Sequence, residues 1–215
     1  MGVVTSLKQQ ARNSERVNVF IDDEFRLGLT KELAARLRIG QELSDRQIEE
    51  LLHQEQFEVA YRRALRQISR RPHTTEEIRM KLHRKQAPAR VIEMVIERLQ
   101  VAKLLDDHSF AQAWVENQQS FRPRGHKALR VELRKKGIEN EIIDAVLEDF
   151  DDKEAAYRAA AKATSRYRSL PPEIGERRLL AYLARRGFSY SLCRKVVDAA
   201  LKDALVSEEE SEVDK

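Results

Sequence analysis

A period of about 50 residues constrains this chain more than any other feature of its sequence. Shifting Leu82, Val91, Ile92, Val95, Ile96 and Leu99 forward by 51 residues reaches Leu133, Ile142, Ile143, Val146, Leu147 and Phe150. A further shift of 50 reaches Leu183, Leu192, Cys193, Val196, Val197 and Ala200. Every position is apolar. Ile78, Leu129 and Leu179 fall in the same register, as do Gln86, Gly137 and Gly187. Amphipathic helices would align some of these positions by chance, but not a shared glycine reversal at Gly137 and Gly187, so the segment reads as a triplication.

One unit of this length holds three helices of ~12 residues joined by short connections. In the first unit the helices are expected at roughly Glu58 to Ser69, Thr75 to Lys85 and Ala89 to Leu99. Pro72 breaks the chain after the first, Thr74 with Glu77 has the spacing of a capping box for the second, and Pro88 suits the start of the third. In the second unit Asp106 or Asp107 caps a helix carrying Phe110, Ala111, Trp114 and Val115, and Gly137 ends the next helix. The third unit departs in having an Ala-rich first helix (Ala155, Ala156, Ala159, Ala160, Ala161, Ala163).

Ahead of the repeats, Val17, Val19 and Ile21 alternate, Asp22-Asp23-Glu24 supplies a polar turn, and Phe25, Leu27 and Leu29 alternate again, which is a β-hairpin pattern. Thr30 can cap a helix holding Leu33, Ala34 and Leu37, and Ser44 with Gln47 forms a capping-box pattern for a short helix through Ile48, Leu51 and Leu52. The expected fold is mainly α: three tandem three-helix modules in an elongated curved body, with a small N-terminal β-hairpin/helix segment. The divisions are residues 1–55 for the cap (hairpin about 16–29, two short helices), 56–106, 107–151 and 152–206 for repeats 1, 2 and 3, and 207–215 for a disordered acidic tail.

Composition narrows the function classes. With 41% hydrophobic and 35% charged residues, and only 7 Gly and 5 Pro in 215, collagen-like, linker-like and turn-dense β classes are excluded. The single cysteine, Cys193, allows no intramolecular disulfide, and no Cys cluster suits zinc. It stands where the other units have Ile92 and Ile143, so it reads as core. The five histidines show no ligand spacing, and no phosphate loop, dinucleotide fingerprint or nucleophile elbow occurs. No catalytic residue, metal or cofactor is expected, and the chain reads as no enzyme. Neither a signal-like start nor a long apolar run is present, so a cytoplasmic protein without a membrane partner is expected.

Charge points to a partner. Residues 56–206 hold 31 basic and 21 acidic groups, whereas residues 1–55 hold 8 and 10 and the tail from Ser207 holds 1 and 5. A polyanionic or acidic partner for the middle follows. Arg62, Arg66 and Arg70, at spacing four, would share one helix face beside Arg71, and like charges so placed repel by a few tenths of a kcal/mol per pair. Arg122, Arg124, Lys127, Arg130 and Arg134 cluster at the corresponding turn of the second unit. Dibasic pairs recur in register at Arg84-Lys85, Lys135-Lys136 and Arg185-Arg186. In a last helical turn such pairs also complement the helix dipole, worth ~0.3–1 kcal/mol each, so capping and binding compete as explanations.

Three runs carry a resemblance: Arg71-Pro72-His73-Thr74-Thr75-Glu76-Glu77-Ile78 with Lys81-Leu82; Leu105-Asp106-Asp107-His108-Ser109-Phe110-Ala111 with Trp114-Val115; and Gly125 followed by Glu132-Leu133-Arg134-Lys135-Lys136-Gly137-Ile138. Over about residues 15 to 202 the chain resembles the bacterial RecX family of recombination regulators. The resemblance implies three tandem three-helix modules and an inhibitor that binds the filament of the RecA recombinase on DNA; a monomer is expected. Such a regulator modulates filament growth, ATP hydrolysis and strand exchange in recombination and SOS DNA repair. It further implies electrostatic binding to single- or double-stranded DNA without sequence preference. The family's usual Gly is replaced at Gln86, and no catalytic residue transfers. A helix-turn-helix-like DNA-binding regulator and a helical-repeat scaffold for another protein are the alternatives. The elongated architecture is checked by solution scattering: a compact chain of this length has a radius of gyration of about 17 Å, and the value expected here is larger.

Overall fold

The computed structural model describes residues 1–168 and 170–200. The acidic tail expected at residues 207–215, and residues 201–206 of the third repeat, lie outside the described residues.

Alternation at Val17, Val19 and Ile21 becomes strand β2 (Asn13–Ile21), and Leu27 and Leu29 lie in β3 (Glu24–Thr30). The two join through Asp22 and Asp23, whose φ values of 51° and 66° make the left-handed turn that matches strand twist. The hairpin is part of a larger sheet. Strand β1 (Gly2–Gln10) and the two-residue β4 (Glu42–Leu43) complete an antiparallel sheet of order β3-β2-β1-β4. The expectation of a hairpin alone missed β1 because its pairing with β2 shifts between Val4 and Ser6. That irregularity puts Val4 and Leu7 on the core side at a spacing of three, which erases the period-two signal. Val4, Val19, Ile21, Leu27 and Leu29 pack against Leu33 and Ala34 of the one-turn helix α1 (Lys31–Ala34).

The second helix corrects another expectation. Instead of a short cap helix through Leu52 and a separate first helix of repeat 1 at Glu58 to Ser69, one helix, α2, runs over Asp45–Ile68. Its start is the anticipated capping box, with the Gln47 N–H donating to Ser44 Oγ at 3.3 Å and the Ser44 N–H to Gln47 Oε1 at 2.8 Å. No Gly or Pro interrupts His53-Gln54-Glu55-Gln56, so nothing breaks the helix there. One half of α2 covers the sheet through Ile48, and the other supplies Ala60 and Ala64 to the first repeat. Between the halves, Glu55 is only 6% exposed; it accepts the Thr30 N–H at 2.6 Å and lies 2.9 Å from Arg16 of β2. This buried carboxylate ties sheet to helix.

Helices α3 (Thr75–His83) and α4 (Ala89–Val101) complete the first repeat around Ile78, Leu82, Val91, Ile92, Val95, Ile96 and Leu99. Thr74 accepts the Glu77 N–H at 3.1 Å, and the buried His73 ring holds the Arg71 carbonyl at 2.8 Å. Burial pushes the His73 imidazole below its usual range, so the ring stays neutral at physiological pH. The second unit holds α5 (Asp107–Phe121), α6 (His126–Lys135) and α7 (Asn140–Leu147) around Ala111, Leu129, Leu133, Ile143 and Leu147. Asp106 caps α5 by accepting the His108 and Ser109 N–H groups. The third holds α8 (Asp152–Arg168), α9 (Pro172–Arg185) and α10 (residues 190–200). Its alanines at 155, 156, 159, 160 and 163 are all buried, and Gly175 of α9 approaches the Tyr167 carbonyl so closely that a Cβ would lie 3.0 Å from it. Small side chains allow that helix pair to pack tightly.

The chain forms two compact units, one over Met1–Leu105 and a second starting at Asp106. Within the second unit, the start of α6 meets the end of α9. The Gly125 N–H donates to the Arg186 carbonyl at 2.9 Å, and a Cβ on Gly187 would meet the Ala128 Cβ at 2.6 Å.

Gln86, Gly137 and Gly187 all adopt positive φ, at 58°, 78° and 87°. After the first two, the next N–H reaches back to the carbonyl four residues before the left-handed position, Ala87 to Leu82 at 3.2 Å and Ile138 to Leu133 at 3.1 Å, closing a Schellman cap. An L-residue in this conformation costs roughly 1–2 kcal/mol, partly offset by the greater freedom of glycine when unfolded. Gln86→Gly is therefore expected to stabilise the protein by about 0.5–1 kcal/mol and Gly137→Ala to destabilise it by about 1–2 kcal/mol, read as shifts in denaturant midpoint.

Candidate functional site

Among the described residues no group of three His, Cys, Asp or Glu side chains converges as a metal site, and no helix is long and apolar enough to cross a membrane. Cys193 is buried, and desolvation pushes its thiol above the usual range, which disfavours the thiolate.

In the first unit the expected arginine row separates. Arg62 is bound by Glu32 of α1, whose carboxyl is held below the usual range by its own backbone N–H and by that guanidinium. Arg70 lies beyond the end of α2, and Arg71 donates to the Pro72 carbonyl at 2.8 Å and to Glu77 at 2.9 Å. Arg66 instead faces α3. There it joins Arg84 and Lys85 in lining a cleft of about 630 Å³, together with Arg63, Lys81, Gln67, Ala64, Ile78 and Leu82. Arg63 and Lys81 were missed as site residues. Arg63 stands off the spacing-four row, but Lys81 and Lys85 are themselves four apart, and that spacing was a readable signal.

In the second unit several basic residues hold the structure. Arg124 pairs with Glu132 at 2.7 Å, and Trp114 donates its indole N–H to the same carboxylate at 3.4 Å. Arg130 pairs with Asp144 of α7, and Arg134 Nε donates to Asn140 Oδ1 at 2.9 Å. These contacts join α6 to α7. Arg122, Lys127, Lys135 and Arg185 are exposed, and none of their side chains has a partner among the described residues.

The dibasic pairs do not behave alike. Lys136 sits over the rings of Trp114 (4.1 Å to the centroid) and Phe110 (5.3 Å), which stack on each other. Arg186 lies 4.4 Å over Tyr182 and donates to the Pro123 carbonyl at 3.0 Å. In repeats 2 and 3, then, the second member is engaged with the fold and the first, Lys135 or Arg185, faces outward. In repeat 1 both Arg84 and Lys85 are exposed at the cleft.

A cation over two aromatic faces contributes about 0.5–2 kcal/mol, whereas an exposed surface substitution stays within about 0.5 kcal/mol. Lys136→Met is accordingly expected to lower thermal stability, and Lys135→Met to leave it unchanged within that margin, in melts of the two variants side by side.

Comparison with known proteins agrees with this architecture. Four family models match in order along the chain: the RecX N-terminal domain over residues 2–44, and the first, second and third RecX three-helix domains over 60–99, 106–147 and 151–197. The Regulatory protein RecX of Bacillus licheniformis is 30% identical over 94% of this chain and 78% of its own length. That of Bacillus subtilis is 30% identical over 92% and 77%. A crystal structure of regulatory protein RecX superposes with a TM-score of 0.70 at 28% identity, covering 92% of this chain and all of the other. RecX from Lactobacillus salivarius, at 23% identity and a TM-score of 0.60, shares the fold over 67% of this chain.

Proposed function

The chain belongs to the RecX family of regulatory proteins, and from that premise we propose that it is a cytoplasmic, non-enzymatic regulator of the RecA recombinase. It binds the RecA filament on DNA and inhibits filament growth, ATP hydrolysis and strand exchange. The observation that carries this reading is the match of all four segments, in order, to RecX chains. Outward cations lacking acidic partners, such as Arg66, Arg122, Lys127 and Lys135, support a target of opposite charge, because a surface with no anionic ligand gains nothing from leaving them unpaired. Three modules in tandem supply several weak contacts at high effective concentration, which suits a polymer of repeating subunits.

A helix-turn-helix reading is weaker. The third helix of a repeat would have to present polar and basic groups to base edges. Helix α4 instead buries Val91, Ile92, Val95, Ile96 and Leu99, and its Glu93 is taken by Arg79 of α3 at 2.9 Å.

The test is RecA ATP hydrolysis on single-stranded DNA, followed as the purified full chain is added. The expected outcome is progressive inhibition at less than one chain per recombinase subunit, with shortened filaments in electron micrographs. Unchanged hydrolysis together with no sedimentation of the chain with filaments at equimolar concentration would overturn the reading.

A further inference from the structure

The cleft between α2 and α3 marks the first repeat off from the second. Where Trp114 stands under Lys136 in repeat 2, the same register 51 residues earlier puts Arg63 opposite Lys85. A cation on an aromatic ring is thus replaced by two cations. Arg66, Lys81 and Arg84 line the same cleft, and among the described residues no carboxylate pairs with any of the five. Acids are not scarce nearby. On other surfaces of α3, Arg79 is held by Glu76 at 2.7 Å and Glu93 at 2.9 Å, and Arg71 by Glu77 at 2.9 Å. Within the cleft, five like charges repel unless an anion enters.

We propose that this cleft binds the phosphodiester backbone of a single nucleic-acid strand. Arginine forks match phosphate oxygens, the exposed Lys85 can follow a flexible chain, and Lys81 donates to Gln67 Oε1 at 2.9 Å in the cleft wall. Ala64, Ile78 and Leu82 give the cleft an apolar floor, on which a sugar or a base edge can rest. A volume of about 630 Å³ takes a group the size of a nucleotide. A duplex carries its phosphates on the outside of a wide rod and cannot enter such a space. An acidic peptide would have to order several long side chains to deliver the same charge, whereas a strand carries one charge per nucleotide in its backbone. Repeat 2 lacks the site because Trp114 and Phe110 occupy the corresponding region beneath Lys136.

The inference rests on the regulator reading only for where the strand comes from, and it is tested without recombinase. Anisotropy of a labelled oligothymidylate is measured against the full chain over a salt series. Arg63→Glu with Lys81→Glu is expected to weaken binding by about tenfold or more and to flatten the log-log salt slope by about 1.4, at ~0.7 per phosphate contact. Arg66→Glu, exposed on the cleft rim, should act in the same direction by about threefold and guards against misfolding of the double variant. The control pair Arg26→Glu with Lys195→Glu makes the same charge change at exposed positions outside the cleft and should weaken binding less than about threefold. Equal losses from the cleft and control pairs, duplex binding as tight as single-strand binding, or displacement of the strand by polyglutamate at equal charge would each overturn the proposal. A chain that binds the strand through this cleft yet leaves RecA hydrolysis untouched would support the cleft while refuting the regulator reading.

Discussion

The left-handed residue that closes the second helix of each repeat is the constraint on which the rest depends. The second helices of the three modules, α3, α6 and α9, are 9, 10 and 14 residues long and marginal alone, so each module must fold its third helix back onto the first two. A positive φ at Gln86, Gly137 and Gly187 makes that reversal in the space of one residue. The third helix then returns with its apolar side inward, which is why Ile92, Ile143 and Cys193, far apart in sequence, are equivalent core positions. The reversal also fixes where the dibasic pairs stand, directly before the turn, at the carbonyl end of the helix where a cation is favoured electrostatically.

From that common frame the repeats diverge through their first helices. Repeat 2 offers Phe110 and Trp114 on α5, and Lys136 is absorbed into the fold above them. Repeat 3 has alanines along α8, which pack closely on α9, and Arg186 turns to Tyr182 and to the backbone of Pro123. Repeat 1 has Arg63 and Arg66, and its dibasic pair remains in solvent beside them. One scaffold thus yields two structural uses of the same basic pair and one open cationic cleft. The N-terminal sheet is joined to repeat 1 by α2 and by the buried Glu55, so it shares the rigidity of the unit that carries the cleft.

Much of the architecture was legible in the residues. Periodicity of the apolar positions, Ser44 with Gln47, Thr74, Pro88, Asp106, Gly137 and the Asp22-Asp23 turn act through their nearest neighbours, and their consequences appear where local chemistry places them. The misses had physical causes of a different kind. Strand β1 was hidden by an irregularity in its pairing with β2, whereas the length of α2 was legible in the unbroken run from His53 to Gln56.

The sequence by itself determined the triplication, the helical class, the positions of the caps and reversals, and the family, because each is written in spacings of a few residues or in a repeated register. Only the tertiary structure decided which cations are available. Arg62 and Arg66 are one turn apart and chemically identical, yet one is bound by Glu32 and the other opens onto a cleft. Lys85 and Lys136 occupy the same register, yet one is exposed and the other lies over two aromatic rings. The partner of a charged side chain is set by what packs beside it from another helix, and no spacing along the chain encodes that neighbour.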